Sequence, residues 1–210
     1  MLRTKDATQN LFDDWAKTYT EDLQNAAGPL FGYKHSLEEA CKMIQLSKGS
    51  TLLDVGIGTG AFAASLSDEG NEVWGIDLSE NMLKECKKRY PTYILHQGTF
   101  TEPGLKDKIE SFDVIASSFC FHEVLPDERQ TACEKMYTLL KPDGKFLVLD
   151  IMFASQSAMN NARKQIGHYW DSTENYPLVQ TLDEMLRHVG FKHISWKNTG
   201  PFHWAFSAQK

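Results

Sequence analysis

The sequence predicts a three-layer α/β fold built on a seven-stranded, mostly parallel sheet that closes with an antiparallel hairpin. Three observations predict it. Short apolar runs alternate with helical periodicities through most of the 210 residues, and strand–helix alternation gives a parallel sheet covered on both faces. The apolar run Leu52-Leu53-Asp54-Val55 passes directly into Gly56-Ile57-Gly58-Thr59-Gly60, a strand ending in a tight turn before a helix. The last two apolar segments are joined only by Asn198-Thr199-Gly200-Pro201, which is too short for a parallel crossover.

The elements follow in order. Residues 8–25 read as one helix with Leu11, Phe12, Trp15, Tyr19 and Leu23 on a single face, and Ala27-Gly28-Pro29 breaks it. Ser36-Leu37-Glu38-Glu39 has the form of a capping box opening a helix to about Leu46. Strands are expected at 51–55, 72–76, 92–96, 111–117 and 145–151, with helices at 60–69, 80–89 and 127–140. Thr181-Leu182-Asp183-Glu184 reads as the cap of a further helix ending at Gly190, and strands 191–197 and 203–208 complete the sheet.

Composition narrows the function classes. Hydrophobic residues make up 41%, as in a globular domain with a substantial core. No run approaches the roughly 20 apolar residues of a membrane span, and Met1-Leu2-Arg3-Thr4-Lys5-Asp6 lacks the apolar stretch of a secretory signal. The net charge of -6 argues against a general nucleic-acid-binding surface. The four cysteines, Cys41, Cys86, Cys120 and Cys133, include no C-x-x-C pair. They read as reduced thiols in a cytoplasmic protein with no metal site.

In an open α/β sheet the ligand lies beyond the carboxyl ends of the strands. Gly56, Gly58 and Gly60, together with Asp77, Thr99 and Ser117, all fall at such ends. Glycines allow φ > 0 and close approach of a ligand to the backbone. Asp77 ends Val73-Trp74-Gly75-Ile76-Asp77, 17 positions after Gly60, and a carboxylate there can accept from two ribose hydroxyls. Gly56–Ala61 satisfies the loose dinucleotide pattern, but Asp54 precedes it. A carboxylate repels a pyrophosphate and favours a cationic sulfonium or ammonium.

At this point the chain resembles the class I S-adenosylmethionine-dependent methyltransferases, whose first motif has the form acid-x-G-x-G-x-G. The resemblance continues through Asp77-Leu78-Ser79-Glu80-Asn81-Met82, His96-Gln97-Gly98-Thr99-Phe100, Phe112–Phe119, Leu139–Phe146 and His188-Val189-Gly190-Phe191. It covers roughly residues 36–208 in the family's order. It implies a Rossmann-like three-layer sandwich, with 1–210 a single methyltransferase domain. Within it, 1–47 would be a helical lid, 48–151 the cofactor-binding core, 152–180 a substrate-cap insertion and 181–210 the last helix and hairpin. The implied cofactor is S-adenosyl-L-methionine, with S-adenosyl-L-homocysteine as product.

The implied roles are specific. Gly56, Gly58 and Gly60 form the loop, and Asp54 holds it. Asp77 takes the ribose, while Leu78, Met82 and Phe100 flank the adenine. Thr99 stands where the family often has Asp, so it can still accept a hydrogen bond but without charge assistance. Ser117 lies at the end of the fourth strand. Tyr19, with Phe12 and Trp15, would close a lid, although a helical aromatic stripe is also ordinary core. His122, in Phe119-Cys120-Phe121-His122-Glu123, is the candidate general base, although the His-Glu pair could equally be structural. The insertion carries His168, Tyr169, Trp170, Asp171 and Tyr176, whose rings could face a cation or merely cover the sheet.

The expected reaction is in-line methyl transfer to a small molecule, with no nucleic-acid or membrane partner, by a monomer or homodimer. Three alternatives remain open: an NAD(P)-dependent oxidoreductase, a non-catalytic cofactor-binding module, and a methyltransferase acting on protein or RNA.

Overall fold

The computed structural model describes residues 2–22 and 28–210. Seven strands form one sheet: β1 (Thr51–Val55), β2 (Glu72–Asp77), β3 (Ile94–Gln97), β4 (Phe112–Ser118), β5 (Leu140–Ile151), β6 (Lys192–Asn198) and β7 (His203–Gln209). Their spatial order is β3-β2-β1-β4-β5-β7-β6. Pairings from β3 across to β5 are parallel. β7 is antiparallel to both β5 and β6. The expected Rossmann-like architecture with its terminal hairpin is therefore present.

Alternation along β1 divides the core. Leu52 and Leu53 are both fully buried but belong to opposite layers, because successive strand side chains face opposite ways. Leu52 packs with residues of α3 (Tyr33–Cys41), α4 (Ala61–Leu66) and α7 (Gln156–Ile166). Leu53 packs with residues of α6 (Arg129–Leu139) and α8 (Val179–Val189). α5 (Glu80–Arg89) follows β2, and Ser79 caps it by accepting the Met82 N–H at 3.1 Å. The sheet's order reverses between β1 and β4, so their carboxyl ends diverge and leave a crevice.

Several local expectations are corrected. The single helix at 8–25 is two pieces, α1 (Lys5–Trp15) and α2 (Tyr19–Asp22), separated by a turn. Thr4 caps α1 by accepting the Ala7 N–H. Leu23 and Ala27 lie outside the described residues. Ser36 does not cap its helix, because α3 already starts at Tyr33 behind Gly32, whose φ is 86°. Ser36 is instead fully buried, donating to the Thr199 carbonyl at 3.0 Å and contacting His203 Nδ1 at 2.8 Å. Thr181 likewise lies inside α8, whose start is fixed by the parallel bridge between Phe153 and Leu178.

Candidate active site

Asp77 organises the crevice. It ends β2, and its two oxygens accept different backbone N–H groups, Gly58 to Oδ2 and Ser79 to Oδ1, each at 2.8 Å. The carboxylate thus ties the glycine turn to the start of α5. Burial raises its pKa to about 6, against the lowering effect of those two hydrogen bonds and with a further rise from Asp13. Each oxygen retains a lone pair for another donor.

The three glycines serve different purposes. Gly56 has φ 73°, and a Cβ there would lie 2.2 Å from Cys120 Sγ, so it is small because the loop after β4 packs on it. A Cβ at Gly60 would strike the Tyr90 ring at 2.7 Å. At Gly58 an added Cβ would meet only the Tyr19 ring, at 3.9 Å. That atom would project into open space beside Asp77.

The space is a cavity of about 510 Å³, within the range of small-molecule sites. Gly56, Gly58, Asp77, Leu78, Met82 and Tyr19 line it, as do Thr99 and Phe100. Asp54, Gly60, Ser117 and His122 do not. Asp54 is buried beneath the turn, where Oδ2 accepts the Ala63 N–H at 3.1 Å and Oδ1 has no hydrogen-bond partner among the described residues. Burial raises its pKa to about 7; the Ala63 N–H opposes the shift and Asp77 adds to it. Ser117 is buried and donates to the Val55 carbonyl at 2.7 Å, joining β4 to β1. Thr99 Oγ1 accepts the Glu102 N–H at 3.1 Å, and Phe100 packs edge-on against Phe121.

The N-terminal segment forms the roof, because Arg3, Lys5, Thr8, Phe12 and Tyr19 all line the cavity. It is fastened at several points. Asp13 Oδ1 accepts from the Ser79 hydroxyl at 2.5 Å and from the Asn81 N–H at 3.2 Å. Lys5 pairs with Glu102 at 2.7 Å, and Arg3 with Glu123 at 2.6 Å. Trp15 and Tyr19 meet edge to face.

Beyond β4 the wall consists of Phe119, Cys120, Glu123, Val124, Leu125 and Glu128. Phe119 holds φ 51°, an uncommon conformation for a bulky residue. Its N–H bonds to Leu149 O at 2.8 Å, and its ring lies between Tyr33 and His203. His122 stands behind this wall. Its N–H and Nδ1 both engage Asp150, at 2.8 and 2.6 Å. Burial disfavours an imidazolium, but Asp150, with Glu174 and Glu123, outweighs that and raises His122 to about 9. Glu123, Arg3 and Cys120 were not among the sequence candidates. Position after β4 was the only signal for Cys120 and Glu123, and nothing local marked Arg3.

A family model described as a methyltransferase domain matches residues 53–148. An uncharacterized methyltransferase of Oceanobacillus iheyensis is 27% identical over 210 residues, 96% of either chain. These matches support a class I S-adenosylmethionine-dependent methyltransferase. Solved structures share the methyltransferase fold at low identity. A SAM-dependent methyltransferase of Thermotoga maritima, described as a possible histamine N-methyltransferase, has TM-score 0.72 at 20% identity. The alignment covers 96% of this methyltransferase and 99% of that chain. A chain from the complex between the Haloferax volcanii Trm112 methyltransferase activator and the putative methyltransferase has TM-score 0.77 at 16% identity, covering 96% of both. Among the described residues no helix is long and apolar enough to cross a membrane.

Proposed function

We propose that this methyltransferase transfers the methyl group of S-adenosylmethionine to a small molecule bound in the same cavity. The observation that carries this reading is the roofed cavity of about 510 Å³, lined both by Asp77 and by the wall after β4. The residues fit the cofactor. Asp77 has a free lone pair on each oxygen for two ribose hydroxyls, and Gly58 keeps the adjoining space clear. Leu78, Met82 and Phe100 offer an apolar slot for a purine, and Thr99 Oγ1 offers it a polar contact. Asp54 holds the turn from below, and Gly60 and Ser117 fix its neighbours.

When bound, the cofactor supplies an electrophilic methyl carbon and a neutral thioether leaving group. The chain's own task is to align the acceptor for in-line displacement and to exclude water. Tyr19 and Phe12 close the roof for that purpose. His122 is poorly placed to take a proton from the acceptor, since Nδ1 is committed to Asp150 and the ring is held as an imidazolium near neutral pH. A protein or RNA acceptor would have to displace α1 from Ser79 and Asn81, so the fastened roof favours a small acceptor.

Calorimetric titration with S-adenosylmethionine, S-adenosylhomocysteine and NADH, on wild type and Asp77→Ala, tests the cofactor. Binding of the two sulfur compounds, lost in the variant, is expected; binding of NADH instead overturns the reading. Methyl incorporation into the protein or RNA fraction of a lysate, with none into small molecules, overturns the acceptor class.

A further inference from the structure

At the back of the acceptor wall, and sharing Glu123 with it, lies a second polar centre to which the methyl-transfer reading assigns no chemistry. His122 Nε2, Glu123 Oε1 and Glu174 Oε1 converge, with Nε2 3.8 and 3.9 Å from the two carboxylates. All three ligand atoms lie within 4.8 Å of one another. His122 is only 6% exposed, and among the described residues its Nε2 has no hydrogen-bond partner. The ring cannot easily turn away, because Asp150 holds Nδ1 at 2.6 Å. Carboxylate-to-imidazole contacts of this kind orient histidines that ligate metals through the other nitrogen.

The two glutamates are also held. Tyr176 donates to Glu174 Oε2 at 2.5 Å, and Thr8 to Glu123 Oε2 at 3.3 Å. Each therefore turns its Oε1 inward. A small pocket of about 10 Å³ borders them, lined by His122, Glu123, Glu174 and Arg3 together with Leu2, Val124 and Thr173.

We propose that His122, Glu123 and Glu174 form a site for a divalent first-row metal ion at the back of the acceptor wall, with the Arg3 guanidinium as its built-in competitor. Arg3 bonds Glu123 Oε1 at 2.6 Å and reaches Glu174 Oε1 at 3.4 Å, so it already occupies the cation's position between them. Its other strong partner, Asp171 at 2.6 Å, lies outside the triad and can keep the guanidinium when the glutamates turn to an ion. One imidazole and two carboxylates suit Zn²⁺ or Mn²⁺ better than the all-oxygen cages of Ca²⁺. Binding displaces the proton on Nε2. The ion would join the loop after β4, through His122 and Glu123, to the segment before α8, through Glu174, and would release one fastening of the roof.

The test is titration of the full, chelator-treated chain with Zn²⁺ and, separately, Mn²⁺, for wild type, Glu174→Gln, His122→Gln and Arg3→Ala. One ion per chain is expected. Glu174→Gln should weaken binding at least about tenfold, and Arg3→Ala should tighten it. Far-UV circular dichroism and the urea midpoint of each variant, measured in parallel, show whether it is folded. The proposal is overturned if neither wild type nor Arg3→Ala binds one ion saturably. It is also overturned if Glu174→Gln and His122→Gln, both folded by those measures, bind metal as wild type does, since the ion then sits elsewhere, for example on the cysteines.

Discussion

Asp77 is a buried carboxylate raised to about 6, and that value has a consequence for binding. If it accepts two ribose hydroxyls, the bound state prefers the ionised form, and its pKa falls on binding. Cofactor affinity should then rise with pH up to about 6 and level off above, with a proton released on binding at lower pH. Calorimetry between pH 5 and 8 in two buffers of different ionisation enthalpy measures both effects. A flat profile with no proton release would remove Asp77 from the ribose contact. This residue was legible because strand, turn and cap converge on it within a short stretch of sequence. Glu123 was not, because what distinguishes it from any polar residue after a strand is Arg3, 120 positions away. Gly56 was legible as a required glycine but for another reason: it makes room for Cys120, whereas Gly58 borders the open cavity.

The roof helix α1 has no buried residue of its own, so its position depends on contacts at its ends and on its polar face. Asp13 makes two of these, receiving the Ser79 hydroxyl that also caps α5 and the Asn81 N–H. Asp13→Ala should raise amide hydrogen exchange across residues 5–15 and weaken cofactor binding by several-fold, while the urea midpoint changes little. Unchanged exchange would mean that the Arg3 and Lys5 ion pairs hold the roof without it. The strands were read closely because their apolar runs are short and bounded by polar or glycine residues. Helix starts were read unevenly: the one at Glu80 was found, the ones at Tyr33 and Val179 were not. Ser36 satisfies a capping pattern, yet its hydroxyl is consumed in the long-range contact with Thr199 and His203. Local rules compete with tertiary hydrogen bonds, and buried hydroxyls go where a partner is.

For the molecule as a whole, the clearest electrostatic cost is Asp54, buried with one oxygen unpartnered among the described residues. Its folded-state pKa of about 7 lies above the value of about 4 for an unfolded chain. Between those values the folded chain keeps a proton that the unfolded chain has released. This residue's contribution to stability is therefore full below about pH 4, declines as pH rises to about 7, and is constant above. Asp54→Asn should flatten that part of the pH dependence, read as urea midpoints from pH 4.5 to 7.5. An unaltered slope would show that Asp54 ionises freely in the folded chain. The seven-stranded order was itself legible, since alternation and the short hairpin turn leave few topologies that satisfy right-handed, uncrossed connections.

The seat of β7 carries a consequence for biosynthesis. It follows every other strand in sequence, yet it lies inside the sheet, bonded to β5 on one side and β6 on the other. While a ribosome is still making residues 203–209, the strands around Asp77 and the glycine turn are already available to pair. β5 meanwhile presents its edge from Lys145 to Ile151 with nothing against it. A nascent chain at that stage has its cofactor half assembled and an open, apolar strand edge, the kind of surface that recruits chaperones or a second copy. A pause before residues 203–209 are made would leave that edge open.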